Sequence, residues 1–334
     1  MSTKLLITGA RERPRGFELG DGKLYGAAVL LRLDVETGET EILLEKTDTG
    51  EHYPPEHPNL QFTAGCTAPD TLWLPTDTEI YEIDYPSMQV RQVISHPCFQ
   101  NVHSANLIDG SLWVTSTGID TVVQIDPASG EIERLINAEH KPTWHRFSSD
   151  VDYRLVHSTR PHDCHPNYVF RHAGEYWVTR CTQEDAVGLE DASKHIDISG
   201  EGNSISVHDG VVIDDRAYFT SVDGCLVIAD LPSQEVVERI DICQEQNLGR
   251  IGWCRGLHIE DDLVWFGFSS IRRTRQSRKL AWLGSSFDKV LGRPACVIAY
   301  DLRRRKMVRR FDIRDHAVDA IYGIFPEPTK EAQS

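Results

Sequence analysis

One pattern recurs along this chain and limits its fold more than any other feature. The segment Asn101–Asp126 reads NVHSANLIDGSLWVTSTGIDTVVQID. It holds a histidine, an apolar run, an Asp109-Gly110 step, a second run around Trp113, a small polar loop and a third run ending at Asp126. Asp-Gly between two alternating apolar runs is a strong short-range hairpin signal. A fourth run, Glu131–Ile136, follows the turn Pro127–Gly130, so the unit predicts a four-stranded antiparallel meander.

The unit returns elsewhere. Thr63–Asp84 has Leu72-Trp73-Leu74 as its second run, His165–Arg180 has Tyr176-Trp177-Val178, and His208–Asp230 has Ala217-Tyr218-Phe219. Arg255–Phe268 has Val264-Trp265-Phe266, with its third run, Ala295–Tyr300, after a long insert. An aromatic second run and an Asp closing the third recur at roughly 40–50 residues, the period of propeller blades. The ends supply one more blade: Ala320–Phe325 as its innermost strand, with Lys4–Thr8, Ala27–Leu33 and Thr40–Glu45 outside it. Joining the ends removes free sheet edges. The expectation is an all-β, six-bladed β-propeller over residues 1–326, with a disordered polar tail at 327–334. A seventh blade is the alternative, with Trp144–Val156 supplying the missing strands.

A net charge of −16 argues against nucleic acid or an anionic membrane as a general partner. Met1-Ser-Thr-Lys runs straight into a strand, with no signal peptide, and no apolar run approaches the roughly 18 residues of a membrane helix. The eight cysteines form no C-x-x-C pair, which predicts reduced thiols in a cytoplasmic protein.

Residues 9–26, 46–61 and 182–204 are connections or, in the last, the outer strands of the fourth blade, around Val187–Leu189 and Ile196–Ile198. Two connections are longer than a blade requires. Residues 137–164 carry Trp144, His145, Arg146, Tyr153, Arg154, His157, Arg160 and His162. Residues 269–294 carry Arg272, Arg273, Arg275, Arg278 and Lys279, with a short amphipathic helix expected around Lys279–Leu291. Both open on the face where the innermost strands begin, and loops of that length read as lids or binding loops.

Aligning the blades on the turn after the first strand brings out a histidine register. His103 lies six residues before Asp109 and His208 six before Asp214. His165 takes the same place if the turn Arg171–Gly174 is two residues longer, and Arg255 holds it six before Asp261. Imidazoles from successive blades at a channel mouth are suited to a transition metal, iron or zinc, rather than to calcium or magnesium. Three protein ligands leave positions for substrate. His258, three residues into its strand, is a candidate fourth ligand, and His162 with Asp163 could orient a ligating ring. Asp319 and Tyr322 begin the closing strand and are candidates for acid–base or substrate contact. Cys164 would need a lowered pKa to act as a nucleophile. Arg255 and the basic insert suggest a small anionic substrate, since arginine's fork fits carboxylate or phosphate.

The turns, aromatic second strands and closing aspartates resemble the six-bladed propellers of the SMP-30/gluconolactonase, strictosidine synthase-like and NHL-repeat group over nearly the whole chain. That resemblance implies the architecture. Lactonases of the group hold a divalent cation at the channel mouth with Glu, Asn and Asp, whereas the equivalent places here hold His103, His165, His208 and Arg255. A histidine centre is instead similar to that of the carotenoid oxygenases, which hold iron with four histidines on seven blades. The expectation is a metal-dependent hydrolase, lyase or oxygenase. A non-catalytic binding or scaffold propeller, and a metal-free lyase or isomerase using histidine as acid and base, are the alternatives.

Overall fold

The computed structural model describes residues 4–13, 25–200, 206–271, 293–313 and 317–328. The first strands are β1 (Lys4–Glu12), β2 (Tyr25–Asp34) and β3 (Thr40–Lys46). A second group is β4 (Cys66–Ala68), β5 (Thr71–Pro75), β6 (Ile80–Asp84) and β7 (Gln89–Ile94). A third is β8 (Val102–Ile108), β9 (Ser111–Ser116), β10 (Thr121–Ile125) and β11 (Ile132–Asn137). A fourth is β12 (Pro166–His172), β13 (Glu175–Arg180), β14 (Asp185–Gly188) and β15 (His195–Asp197). A fifth is β16 (Val207–Ile213), β17 (Arg216–Ser221), β18 (Cys225–Asp230) and β19 (Glu235–Asp241). The last are β20 (Trp253–Glu260), β21 (Leu263–Ser269), β22 (Cys296–Asp301), β23 (Lys306–Asp312) and β24 (Ala320–Pro326).

They form six four-stranded antiparallel sheets, a six-bladed propeller. β24 is the inner strand of the first blade, in the order β24-β1-β2-β3, so the two ends of the chain close the ring as the sequence predicts. The seven-blade alternative fails: Trp144–Val156 holds one 3-10 turn, Tyr153–Leu155, and no strand. The outer strands of blade four fall at β14 and β15, close to the predicted pair. The helix expected at Lys279–Leu291 and the basic side chains from Arg272 to Lys279 lie outside the described residues, as do residues 329–334.

The recurring sequence marks have local causes. The closing aspartate turns the chain into the outer strand: Asp34 accepts from Thr37 N at 2.9 Å, Asp126 from Ala128 N at 3.0 Å, Asp230 from Ser233 N at 3.0 Å and Asp301 from Arg304 N at 2.7 Å. The second-strand aromatics fill the space between blades, where Trp73, Trp113, Trp177 and Trp265 are all buried. Trp113 stacks on Tyr176 of the next blade at 4.1 Å. Middle strands such as β5 and β9 are buried on both faces, which is why their sequences run apolar rather than alternating. None of the eight cysteines forms a disulfide among the described residues. Among the described residues no helix is long and apolar enough to cross a membrane.

Candidate functional site

A β-bulge sits at the start of the innermost strand in five of the six blades. The register shifts fall between Val102 and Ser104, Pro166 and Val169, Val207 and Gly210, and Cys254 and Leu257, and on the closing strand opposite Thr8/Gly9. A bulge leaves an extra residue unpaired and re-aims its side chain. The residues so placed include His103, Asn167, His208, Arg255 and Tyr322. In three blades a threonine on the neighbouring strand holds the bulge: Ser104 N donates to Thr115 Oγ1 at 2.9 Å, Tyr168 N to Thr179 Oγ1 at 3.1 Å, and Asp209 N to Thr220 Oγ1 at 3.2 Å.

This corrects the register of blade four. Its turn is the two-residue Ala173–Gly174, both at positive φ, and His172 pairs with Glu175. The residue equivalent to His103 and His208 is therefore Asn167, whose Nδ2 donates to Val207 O at 3.0 Å. His165 stands two residues earlier, ahead of the strand, at φ 57. Its ring nevertheless reaches the cluster, because the backbone N–H groups of Asp163, Cys164 and His165 all donate to the carboxylate of Asp120, each at 3.0 Å. Asp120 is buried and also accepts from Arg146 at 3.2 Å. Sequence reading missed it, since the three amides it gathers lie more than forty residues away.

His103 is the hub of the cluster. Its ring centroid lies 4.7 Å from that of His165 and 5.6 Å from that of His208. His103 Nδ1 donates to Asn101 O at 2.9 Å, which leaves Nε2 as the lone-pair nitrogen of the neutral ring. His165 and His162 share a hydrogen bond between their Nδ1 atoms at 2.7 Å. His208 is buried, and neither ring nitrogen has a hydrogen-bond partner among the described residues; Nδ1 is 3.5 Å from Asp209 Oδ1. Burial pushes all three imidazoles down. The next contributions come from neighbouring charge: His208 and Arg255 on His103, and His103, His162 and Arg160 on His165. Arg255 acts on His208 against the opposing effect of Asp209. These rings are therefore neutral at pH 7.

Arg255 and Tyr322 flank the cluster. The guanidinium carbon of Arg255 lies 4.9 Å from the ring centroids of both Trp253 and Tyr322, and Tyr322 is 6.4 Å from His208. The Tyr322 hydroxyl donates to Gln61 Oε1 at 2.6 Å, and Gln61 Nε2 donates to Asp77 Oδ1 at 2.6 Å. Burial pushes Asp77 up to about 7, against its bonds from Asn59 and Gln61 and the charge of Arg160. Asp77 and Asn101 also line a cleft with Tyr53, Gln100, Arg154 and His157, the last two from the connection 137–164.

The other candidates have separate places. The Asp319 carboxylate accepts from Glu12 N at 2.8 Å, and its main chain bonds Ala10 and Ser270, so it stitches β24 to β1. His258 lies farther along β20, paired with Trp265, and the one charge bearing on it is that of Glu260. Asp163 is engaged by Arg146 at 2.7 Å and Lys141 at 3.3 Å. Cys164 has its thiol pushed up by burial and then by Asp120, the opposite of an activated nucleophile.

Three imidazoles on one tetrahedral ion, at metal–nitrogen distances of about 2.0–2.1 Å, have centroids roughly 5 Å apart. The two spacings around His103 bracket that value. As the side chains stand, no group of three or more His, Cys, Asp or Glu among the described residues is arranged to hold a metal ion. Nδ1 of His103 is tied to a carbonyl, and Nε2 of His208 has no hydrogen-bond partner among the described residues.

No family model and no curated protein matches the sequence. Among solved structures, a protein of unknown function from Bacteroides caccae is similar in fold, with a TM-score of 0.61 and 13% identity over 97% of this chain and 98% of that one. The dihydro-heme d1 dehydrogenase NirN, in complex with DHE, aligns with a TM-score of 0.43 and 10% identity over 92% of this chain and 56% of that one.

Proposed function

We propose that this protein is an enzyme acting on a small anionic molecule at the histidine-lined mouth of its channel. His103, His165 and His208 would hold a transition-metal ion, iron(II) or zinc(II). Arg255 would hold the anionic group and Tyr322 would line the site. The supporting observation is the meeting of neutral imidazoles from three blades, with Nε2 of buried His208 lacking a hydrogen-bond partner among the described residues and Nδ1 reaching Asp209 at 3.5 Å. Buried polar groups are nearly always satisfied, so an unsatisfied ring at a channel mouth points to a ligand. A bound ion supplies Lewis-acid activation of water or, as iron, of O2. The chain's own part is to keep the rings unprotonated by burial, to fix His103 through Asn101, and to fix His165 through Asp120 and His162.

Elemental analysis of protein purified without a histidine tag tests this. About one equivalent of iron or zinc is expected, lost in His103→Ala and His208→Ala. Less than about half an equivalent, with no uptake on reconstitution, counts against the ion. A second reading has one observation in its favour: the Nδ1–Nδ1 bond of His162 and His165 holds a proton between two rings, as a metal-free acid–base pair would. It requires activity that chelators leave unchanged.

A further inference from the structure

We propose that Asp209 is a positioning residue of this site: its carboxylate holds the proton of His208 on Nδ1 and so leaves Nε2 as the nitrogen that binds the ion. The inference rests on the metal reading above and assigns the residue that sets one of its ligands. Asp209 stands beside His208 in the bulge of β16, where the two residues together face Thr220. Both are buried. Nδ1 of His208 lies 3.5 Å from Asp209 Oδ1, an ion-pair separation longer than a hydrogen bond. A carboxylate offers only lone pairs, so the ring nitrogen that faces it is favoured as the protonated one, and the ring's own lone pair is left on Nε2.

The carboxylate is fixed from its other side. Its Oδ2 accepts from Gly256 N of the next blade at 2.5 Å. Gly256 follows Arg255 in the bulge of β20. In blades three, four and five the corresponding amide is held by a threonine of the adjacent strand, Thr115, Thr179 or Thr220. Blade six has Gly267 at that place, where a Cβ would stand 2.4 Å from the carbonyl oxygen of Arg255. A threonine is thus sterically barred, and Asp209 supplies the missing acceptor from the neighbouring blade. The residues that follow the bulged side chains are Ser104, Tyr168, Asp209 and Gly256; the single acid among them follows a histidine. Holding Gly256 requires only an acceptor, which a neutral side chain provides. A carboxylate does more, because its second oxygen, turned to an imidazole, selects the tautomer. The result matches His103, whose Nδ1 donates to Asn101 O at 2.9 Å. Two rings with centroids 5.6 Å apart then both keep Nε2 for a ligand.

The test is nitrogen NMR of the histidine rings at pH 8 in the EDTA-treated full chain, wild type and Asp209→Asn, with zinc affinity measured by calorimetric titration. Asparagine keeps an acceptor for Gly256 N and sets an amide donor against Nδ1 of His208. The wild type is expected to show His208 as the Nδ1–H tautomer. Asp209→Asn is expected to show it as Nε2–H and to bind zinc about 10–100-fold more weakly. A residue that merely held Gly256 would leave the tautomer where it was. The wild-type tautomer needs no variant, so an Nε2–H ring there overturns the proposal even if Asp209→Asn does not fold. An unchanged tautomer in the folded variant overturns it too, as does a switched tautomer with zinc affinity lowered less than about threefold. The predicted tautomers without zinc uptake by the wild type keep Asp209 as the group that sets His208 and remove the metal. Zinc uptake by a wild type whose His208 is Nε2–H keeps the metal and removes the role of Asp209.

Discussion

Replacing Asp77 by asparagine isolates one buried proton. Asp77 is fully buried, and burial raises its carboxyl from 3.8 to about 7. The sign is opposite to that of a salt-bridged carboxylate. Here the folded state binds the proton more tightly than the unfolded chain, so stability rises as pH falls from above 7 toward 4. With folded and unfolded values of about 7 and 3.8, the wild type gains about 3 kcal/mol from this group between pH 8 and pH 5. The substituted amide cannot titrate. It keeps an acceptor for Gln61 but sets an amide donor against Asn59, which adds an offset independent of pH. The quantity to measure is therefore the change with pH in the stability difference between wild type and variant. Urea unfolding of metal-free protein at pH 8, 7, 6 and 5 gives it. A difference that stays constant within about 0.5 kcal/mol across that range would refute the burial of an acidic proton at Asp77.

Asp77→Asn should also expose the opposite limb from the imidazoles. His103 and His165 are held well below 6.5, so below that pH the unfolded chain takes up protons that the folded protein refuses. Each then removes up to about 1.4 kcal/mol of stability per pH unit on acidification, and metal-free His103→Leu should show a slope shallower by about one proton. Gly9→Ala would place a Cβ 2.1 Å from the carbonyl oxygen of Ala320 on the closing strand, and should destabilise the ring by about 3 kcal/mol or prevent soluble expression. Gly110→Ala, at φ +82 with open space around it, should cost about 1 kcal/mol in thermal or urea unfolding. Thr115→Val removes the acceptor for Ser104 N and should cost about 1–2 kcal/mol while weakening any ligand held by His103.

The ring was legible because most blades repeat the same local marks, a turn aspartate and an interblade aromatic, and because one C-terminal strand was left without a blade of its own. The register of His103, His208 and Arg255 was legible for a related reason, since the turns at Asp109, Asp214 and Asp261 have equal length. Blade four misled because Ala173 takes the turn position that Asp holds in those three blades. His165 joins the cluster by a route the repeat does not encode, through a buried carboxylate that gathers three amides from a distant loop. Tyr322 was found as the start of the closing strand, but Gln61 and Asp77 behind it were not. Their link to Tyr322 spans the junction of the chain's two ends and leaves no periodic trace.

Long-range proton–nitrogen NMR of the histidine rings, in protein labelled at histidine, addresses the shared site most directly. Before addition, His103 should read as the Nδ1–H tautomer, the rings of His103 and His165 should stay neutral to well below pH 6.5, and that of His208 should titrate below 6.5. One equivalent of zinc should then shift one nitrogen on each of the three rings together, while His258 stays unmoved. Rings that titrate near 6.5, or that respond to zinc singly or not at all, contradict a common ligand at the channel mouth.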